Sequence, residues 1–131
     1  MSRILLVDDN ESFLIPLGAA LRRAGYEVET APEGTIALRL FQQSPFDLVI
    51  TDLIMPGKEG ISTIIELRRL QPEIKIIAIS GGGLLDSGIP LGLAQQLGAL
   101  KTLAKPFTIS EILQAIADSL STASEGRPVA A

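Results

Sequence analysis

The chain has 131 residues, a length that suits one domain with a substantial core, and its formal net charge of −4 argues against a nucleic-acid grip. It contains no Cys and no His. Disulfide frameworks, thiolate or imidazole zinc, thiol catalysis, a His general base and a Ser-His-Asp triad are therefore excluded, and any chemistry falls to carboxylates, hydroxyls, amines and backbone.

The basic residues are scattered. Arg22-Arg23 and Arg68-Arg69 are pairs, and both fall near expected helix C-termini, where the macrodipole favours cations. No apolar run approaches the roughly 20 residues of a membrane span. A strand pattern starts almost at the first residue, unlike a signal peptide. The expectation is a cytoplasmic protein without membrane contact.

Ile4-Leu5-Leu6-Val7 is a short continuous apolar run ending on Asp8-Asp9-Asn10, as a strand buried on both faces would. A helix follows, with Phe13, Leu17, Leu21 and Ala24 at helical spacing, Asp9 or Asn10 as N-cap and Gly25 as the C′ residue. Pro16 inside it removes one backbone bond, which predicts a kink or a loosened first turn. Tyr26 to Thr30 alternates like a half-exposed edge strand. Pro32 suits the first turn of a second helix, which carries Ile36, Leu40 and Phe41 and ends before Pro45.

Leu48-Val49-Ile50-Thr51 is the next buried strand, and it stops on Asp52. After Pro56-Gly57 a third helix is predicted from about Gly60 to Leu70, stopped by Pro72. Ile74 to Ile79 is a further buried strand ending on Ser80, before Gly81-Gly82-Gly83. Leu84 to Pro90 reads as a long loop, and Pro90 to Leu97 as a short helix capped by Gly98. Leu100 to Ala104 is a weak strand ending on Lys105-Pro106, and a last helix begins near Ser110. Residues 1–120 then form one domain, and 121–131 read as a flexible tail or the stub of a linker.

Five strands alternating with five helices predict an α/β fold: a flavodoxin-like, doubly wound parallel sheet of order 2-1-3-4-5 with helices on both faces. In such a sheet all C-terminal strand tips lie along one edge, where ligands bind. Taken singly, the tip residues have plain structural readings. Asp52 can be a turn residue, Asp8-Asp9 a helix cap, Ser80-Gly81-Gly82-Gly83 a turn without the phosphate-loop pattern, and Lys105 a solvated lysine. Together they place Asp8, Asp9, Asp52, Ser80 and Lys105 on four neighbouring tips, with the uncharged strand two left out. Carboxylates crowded in this way repel one another, and one lysine does not neutralise them. A hard oxygen-liganded cation such as Mg2+ suits the site, and a carboxylate nucleophile with an ammonium and a hydroxyl suits phosphoryl transfer.

At this point the chain resembles the receiver domain of bacterial two-component response regulators. The match covers about residues 3 to 120 and rests on Leu-Val-Asp8-Asp9-Asn, Thr-Asp52-Leu-Ile-Met-Pro-Gly, Ser80-Gly and Lys105-Pro106-Phe107. The resemblance implies that Asp52 accepts a phosphoryl group from the phosphohistidine of a histidine kinase or histidine phosphotransfer protein. It implies that Asp9, Asp52 and the Ile54 carbonyl ligate Mg2+, with Asp8 holding a metal-bound water. Lys105 and Ser80 would contact the phosphoryl oxygens, and Lys105-Pro106 would be a cis peptide bond.

One position departs from the family pattern. Three residues before the lysine, where receivers usually carry Tyr or Phe, this chain has Thr102, so the switch that couples Ser80 to that position is altered. Ile54 and Gly82 offer no polar group to orient water, which implies slow to moderate loss of the phosphoryl group.

The resemblance makes the chain a phosphoprotein of a phosphorelay, not a turnover enzyme. It would signal to a downstream protein through the region from Gly81 through the short helix, Lys101, Thr102 and the last helix, as a monomer or weak dimer. Three other readings compete. A Mg-dependent aspartyl phosphatase usually has a second acid two residues past the nucleophile, where this chain has Ile54. A non-phosphorylated receiver-like scaffold would not need the intact acidic set. A dinucleotide-binding fold would need a Gly-x-Gly-x-x-Gly turn after strand one, which is missing.

Overall fold

Ile4, Leu5, Leu6 and Val7 are all buried, because the strand they form lies inside a sheet covered on both faces. The computed structural model describes residues 2–52, 59–80 and 98–125, with side chains except at 59–61, 80 and 122–125. The strands are β1 (Arg3–Val7), β2 (Glu27–Ala31), β3 (Leu48–Asp52), β4 (Lys75–Ser80) and β5 (Lys101–Ala104). The helices among the described residues are α1 (Glu11–Arg23), α2 (Gly34–Gln43), α3 (Glu59–Leu70) and α4 (Ile109–Glu125). All strand pairs are parallel, in the order β2-β1-β3-β4-β5, as the strand-tip pattern predicts. The expected loop from Gly81 to Pro90 and the short helix from Pro90 to Leu97 lie outside the described residues.

Alternation along each strand sends side chains into two separate cores. Leu5, Val7, Val49, Ile76 and Ala78 meet Ala37 and Phe41 of α2 and Ile64 and Leu67 of α3. Ile4, Leu6, Leu48, Ile50, Ile77 and Ile79 meet Leu14, Leu17 and Leu21 of α1 and Ile112, Ala115 and Ile116 of α4. β2 is an edge strand, and it alternates from Glu27 to Thr30: Glu27 and Glu29 are exposed, Val28 is buried and Thr30 half-buried, while Ala31 is buried in the core of the opposite face. At the N-terminal edge of the sheet Arg3 ties several segments together. Its backbone N–H donates to Asp47 Oδ2 at 2.8 Å, its Nη1 donates to the Pro45 carbonyl at 2.8 Å, and its guanidinium lies 4.5 Å from the Phe46 ring centre.

The helix ends follow local chemistry. Asn10 caps α1 by accepting from the Ser12 N–H at 3.0 Å, and Gly25 follows the helix at φ +104°, as a C′ glycine does. α1 runs unbroken through Pro16. Both Pro16 and Ser12, whose carbonyl loses its helical partner, face solvent, so water can replace the missing bond. The buried face of α1 is Leu14, Leu17, Gly18 and Leu21. Phe13 is half-buried and Ala24 exposed, a rotation of the face from the predicted set. α2 begins at Gly34 with Glu33 as N-cap, so Pro32 precedes the helix instead of opening it.

Two boundaries change at the C-terminal end. Thr108 and Glu111 form a capping box: the Thr108 N–H donates to Glu111 Oε1 at 2.8 Å, and the Glu111 N–H donates to Thr108 Oγ1 at 3.0 Å. The helix therefore starts at Ile109. It continues to Glu125, so residues 121–125 of the predicted tail are helical. They contain no breaker before Gly126, and Ala, Ser and Glu cost little inside a helix. Thr108→Ala is expected to cost about 1 kcal/mol of stability in urea unfolding. Adding Glu111→Ala should cost less than the sum of the two single changes, because the two bonds are reciprocal.

Candidate functional site

Side-chain parity brings the charged residues together. Asp8 continues the register of Ile4 and Leu6, Asp52 that of Leu48 and Ile50, and Lys105 that of Leu103, all on the face covered by α1 and α4. β1, β3 and β5 end within one residue of these positions, so all three side chains emerge on one side of one sheet edge. Asp8 and Asp52 are only 1% and 4% exposed, whereas Asp9 faces solvent.

Lys105 Nζ donates to Asp8 Oδ2 at 2.7 Å and to Asp52 Oδ2 at 3.3 Å. The other Asp8 oxygen accepts the Asn10 N–H at 2.9 Å, which fixes the carboxylate between the ammonium and the start of α1. Carboxylate oxygens of Asp8, Asp9 and Asp52 lie within 4.8 Å of one another. Two unit charges about 5 Å apart repel by roughly 3 kcal/mol at an effective dielectric of about 20. Among the described residues one ammonium, that of Lys105, stands against these three carboxylates. The donor set, hard oxygens crowded at an open edge, fits a small divalent cation such as Mg2+.

Burial works to lower the pKa of Lys105, but the hydrogen bond to Asp8 and the charges of Asp8 and Asp52 outweigh it and hold the ammonium above the ordinary value of 10.5. The Lys105-Pro106 bond is cis, as the resemblance implies. Phe13 and Phe107 also lie beside Lys105 among the described residues. The Lys105 Nζ lies 4.1 Å from the centre of the Phe13 ring, and Phe107 meets that ring edge-on at 5.8 Å and 87°.

The other sequence-predicted residues divide as follows. Ser80 ends β4 and pairs in register with Ala104, beside Lys105; its side chain lies outside the described residues. Thr102 is half-buried in β5 and pairs with Ala78, on the sheet face opposite Lys105. Ile54 and Gly82 lie outside the described residues. Phe13 is the site residue that sequence reasoning missed. Helical spacing placed it in the core stripe, against which it does pack, and nothing local reveals that its ring face also meets a lysine 92 positions later in the chain.

This arrangement agrees with known proteins. The response regulator receiver domain matches residues 4–117. The chain belongs to this family. The receiver is 33% identical to Sporulation initiation phosphotransferase F of Bacillus subtilis (strain 168) over 114 residues, which are 87% of this chain and 90% of that protein. It is 34% identical to Transcriptional regulatory protein GlrR of Escherichia coli (strain K12) over 119 residues, 91% of this chain but only 26% of that protein. Its fold superimposes on a response regulator receiver domain protein from Clostridium thermocellum with a TM-score of 0.80, at 30% identity and complete coverage of both chains. NtrX from Brucella abortus gives a TM-score of 0.89 at 26% identity, over 98% of this chain and 29% of that one. No helix among the described residues is long and apolar enough to cross a membrane.

The receiver's charge pairing has a measurable pH signature. The folded pKa of Lys105 lies above its unfolded value, so the stabilisation from its ammonium is complete below pH 10.5 and is lost as pH rises through the folded pKa. Lys105→Met is expected to lower stability by about 1–3 kcal/mol at neutral pH. The gap between wild type and variant in urea unfolding should stay level from neutral pH up to pH 10.5 and shrink above it.

Proposed function

We propose that Asp52 is the phosphoacceptor of a two-component phosphorelay, and that its donor is the phosphohistidine of a histidine kinase or histidine phosphotransfer protein. The observation that carries this reading is the buried Asp52 carboxylate, set among Asp8, Asp9 and the Lys105 ammonium at the C-terminal sheet edge. An Asp52 oxygen forms the new bond to phosphorus as the phosphorus–nitrogen bond of the donor breaks, and the released imidazole keeps the electron pair. Little acid–base chemistry is needed in such a transfer; positioning and charge neutralisation dominate. The absence of His from this chain is therefore no obstacle.

Asp8, Asp9 and Asp52 would hold Mg2+, together with the Ile54 carbonyl. Bound there, the cation supplies charge neutralisation for the transferring group. Lys105 lies 3.3 Å from Asp52, close enough to pair with a phosphoryl oxygen once Asp52 carries it, and Ser80, at the adjacent strand tip, would donate to another. The relative whose name describes a phosphotransferase matches this chain over nearly its whole length, which favours phosphoryl transfer over a silent scaffold.

Output is proposed to pass to a downstream protein through a changed contact surface, in the cytoplasm and without direct nucleic-acid binding. Lys101 of β5 pairs with Asp118 of α4 at 3.7 Å, so a shift of β5 would be felt by that helix. Thr102, in the aromatic's usual place, would make the shift one of backbone and hydroxyl and not of a swinging ring.

Incubation with acetyl phosphate and Mg2+ tests the assignment. Intact mass should increase by one phosphoryl group in the wild type and not at all in Asp52→Asn, and a chelator should suppress the gain. Mg2+ alone should raise the wild-type melting temperature and have a smaller effect on Asp9→Asn. Phosphorylation that persists in Asp52→Asn would overturn the reading.

A further inference from the structure

Lysine carries its charge on a long, flexible stem with many rotamers. A lysine that must meet a phosphoryl oxygen therefore needs something to hold its ammonium in place. Lys105 is held from three sides. Asp8 accepts at 2.7 Å and Asp52 at 3.3 Å, and the Phe13 ring covers the third side at 4.1 Å. At that distance the negative face of the ring attracts the ammonium. Phe107, two residues beyond Lys105 in the chain, packs edge-on against the same ring at 5.8 Å. The segment 105–107 thus touches Phe13 at both ends, and the ring is itself fixed by an aromatic neighbour.

We propose that Phe13 is a positioning residue for phosphoryl transfer: its ring, braced by Phe107, holds the Lys105 ammonium over Asp8 and Asp52 so that it faces the incoming phosphoryl group. This rests on Asp52 being the phosphoacceptor. The ring does not touch the transferring group; it acts through Lys105. A purely apolar packing role would be met in large part by leucine, which is smaller and lacks the edge-on contact with Phe107. Attraction to the ammonium would not, because leucine has no ring face.

Phe13→Leu and Phe13→Tyr separate the two roles. In the metal-free, unphosphorylated protein the Lys105 ε-methylene protons should resonate upfield of those of the other lysines, shifted by the ring current of Phe13. The displacement should vanish in Phe13→Leu and remain in Phe13→Tyr. With acetyl phosphate and saturating Mg2+, Phe13→Leu should lower the maximal phosphorylation rate roughly 5- to 20-fold, with the half-saturating donor concentration unchanged, and Phe13→Tyr should restore it. A wild-type rate in Phe13→Leu, or an equal loss in Phe13→Tyr, would overturn the positioning role while leaving the assignment of Asp52 intact. A wild-type protein that takes up no phosphoryl group would overturn the assignment of Asp52 and the positioning role together, whatever the Lys105 resonance shows.

Discussion

Lys105 stands between Asp8 and Asp52, and the site depends on that contact. Two buried carboxylates at one sheet edge would repel each other by several kcal/mol without a cation between them. The ammonium offsets part of that repulsion and links β1, β3 and β5, whose tips are separated by tens of positions in the chain. Crowding Asp8, Asp9 and Asp52 at one edge is an electrostatic tension, and their hard oxygen donors fit a small divalent cation.

The fold produces this tension through geometry. Parallel strands of order β2-β1-β3-β4-β5 put every C-terminal tip on one edge, and the two-residue period of each strand selects which face a tip side chain takes. Asp8, Asp52 and Lys105 share a parity that carries them toward α1 and α4. Two aliphatic cores, one on each face, make that parity costly to change, since a one-residue slip would send an entire hydrophobic set to the wrong side. The same packing that stabilises the sheet therefore registers the charges.

α1 links the site to the rest of that face. Asn10 caps the helix and its N–H bonds Asp8, so the helix start is tied to the acidic pocket. One turn on, Phe13 packs against the core and also covers Lys105. At the opposite end of the chain the Thr108–Glu111 box starts α4 immediately after Phe107, which limits how far the Lys105-Pro106-Phe107 segment can move.

The central strands β1, β3 and β4 were legible in the sequence because buried parallel strands read as short apolar runs, and each of these runs stops at a polar residue, Asp8, Asp52 or Ser80. The acidic set and Lys105 were legible for the same reason: a charge that stops an apolar run marks a strand tip. Helix boundaries were less so. α4 reaches Glu125 because no helix breaker precedes Gly126, and α2 starts past Pro32, at Gly34. The contact of Phe13 with Lys105 was decided by tertiary structure alone. Helical periodicity states which residues share a face, but the angle at which α1 settles against the sheet decides whether an end residue of that face, packed against the core, also reaches Lys105, and that angle is set by contacts between segments far apart in the chain.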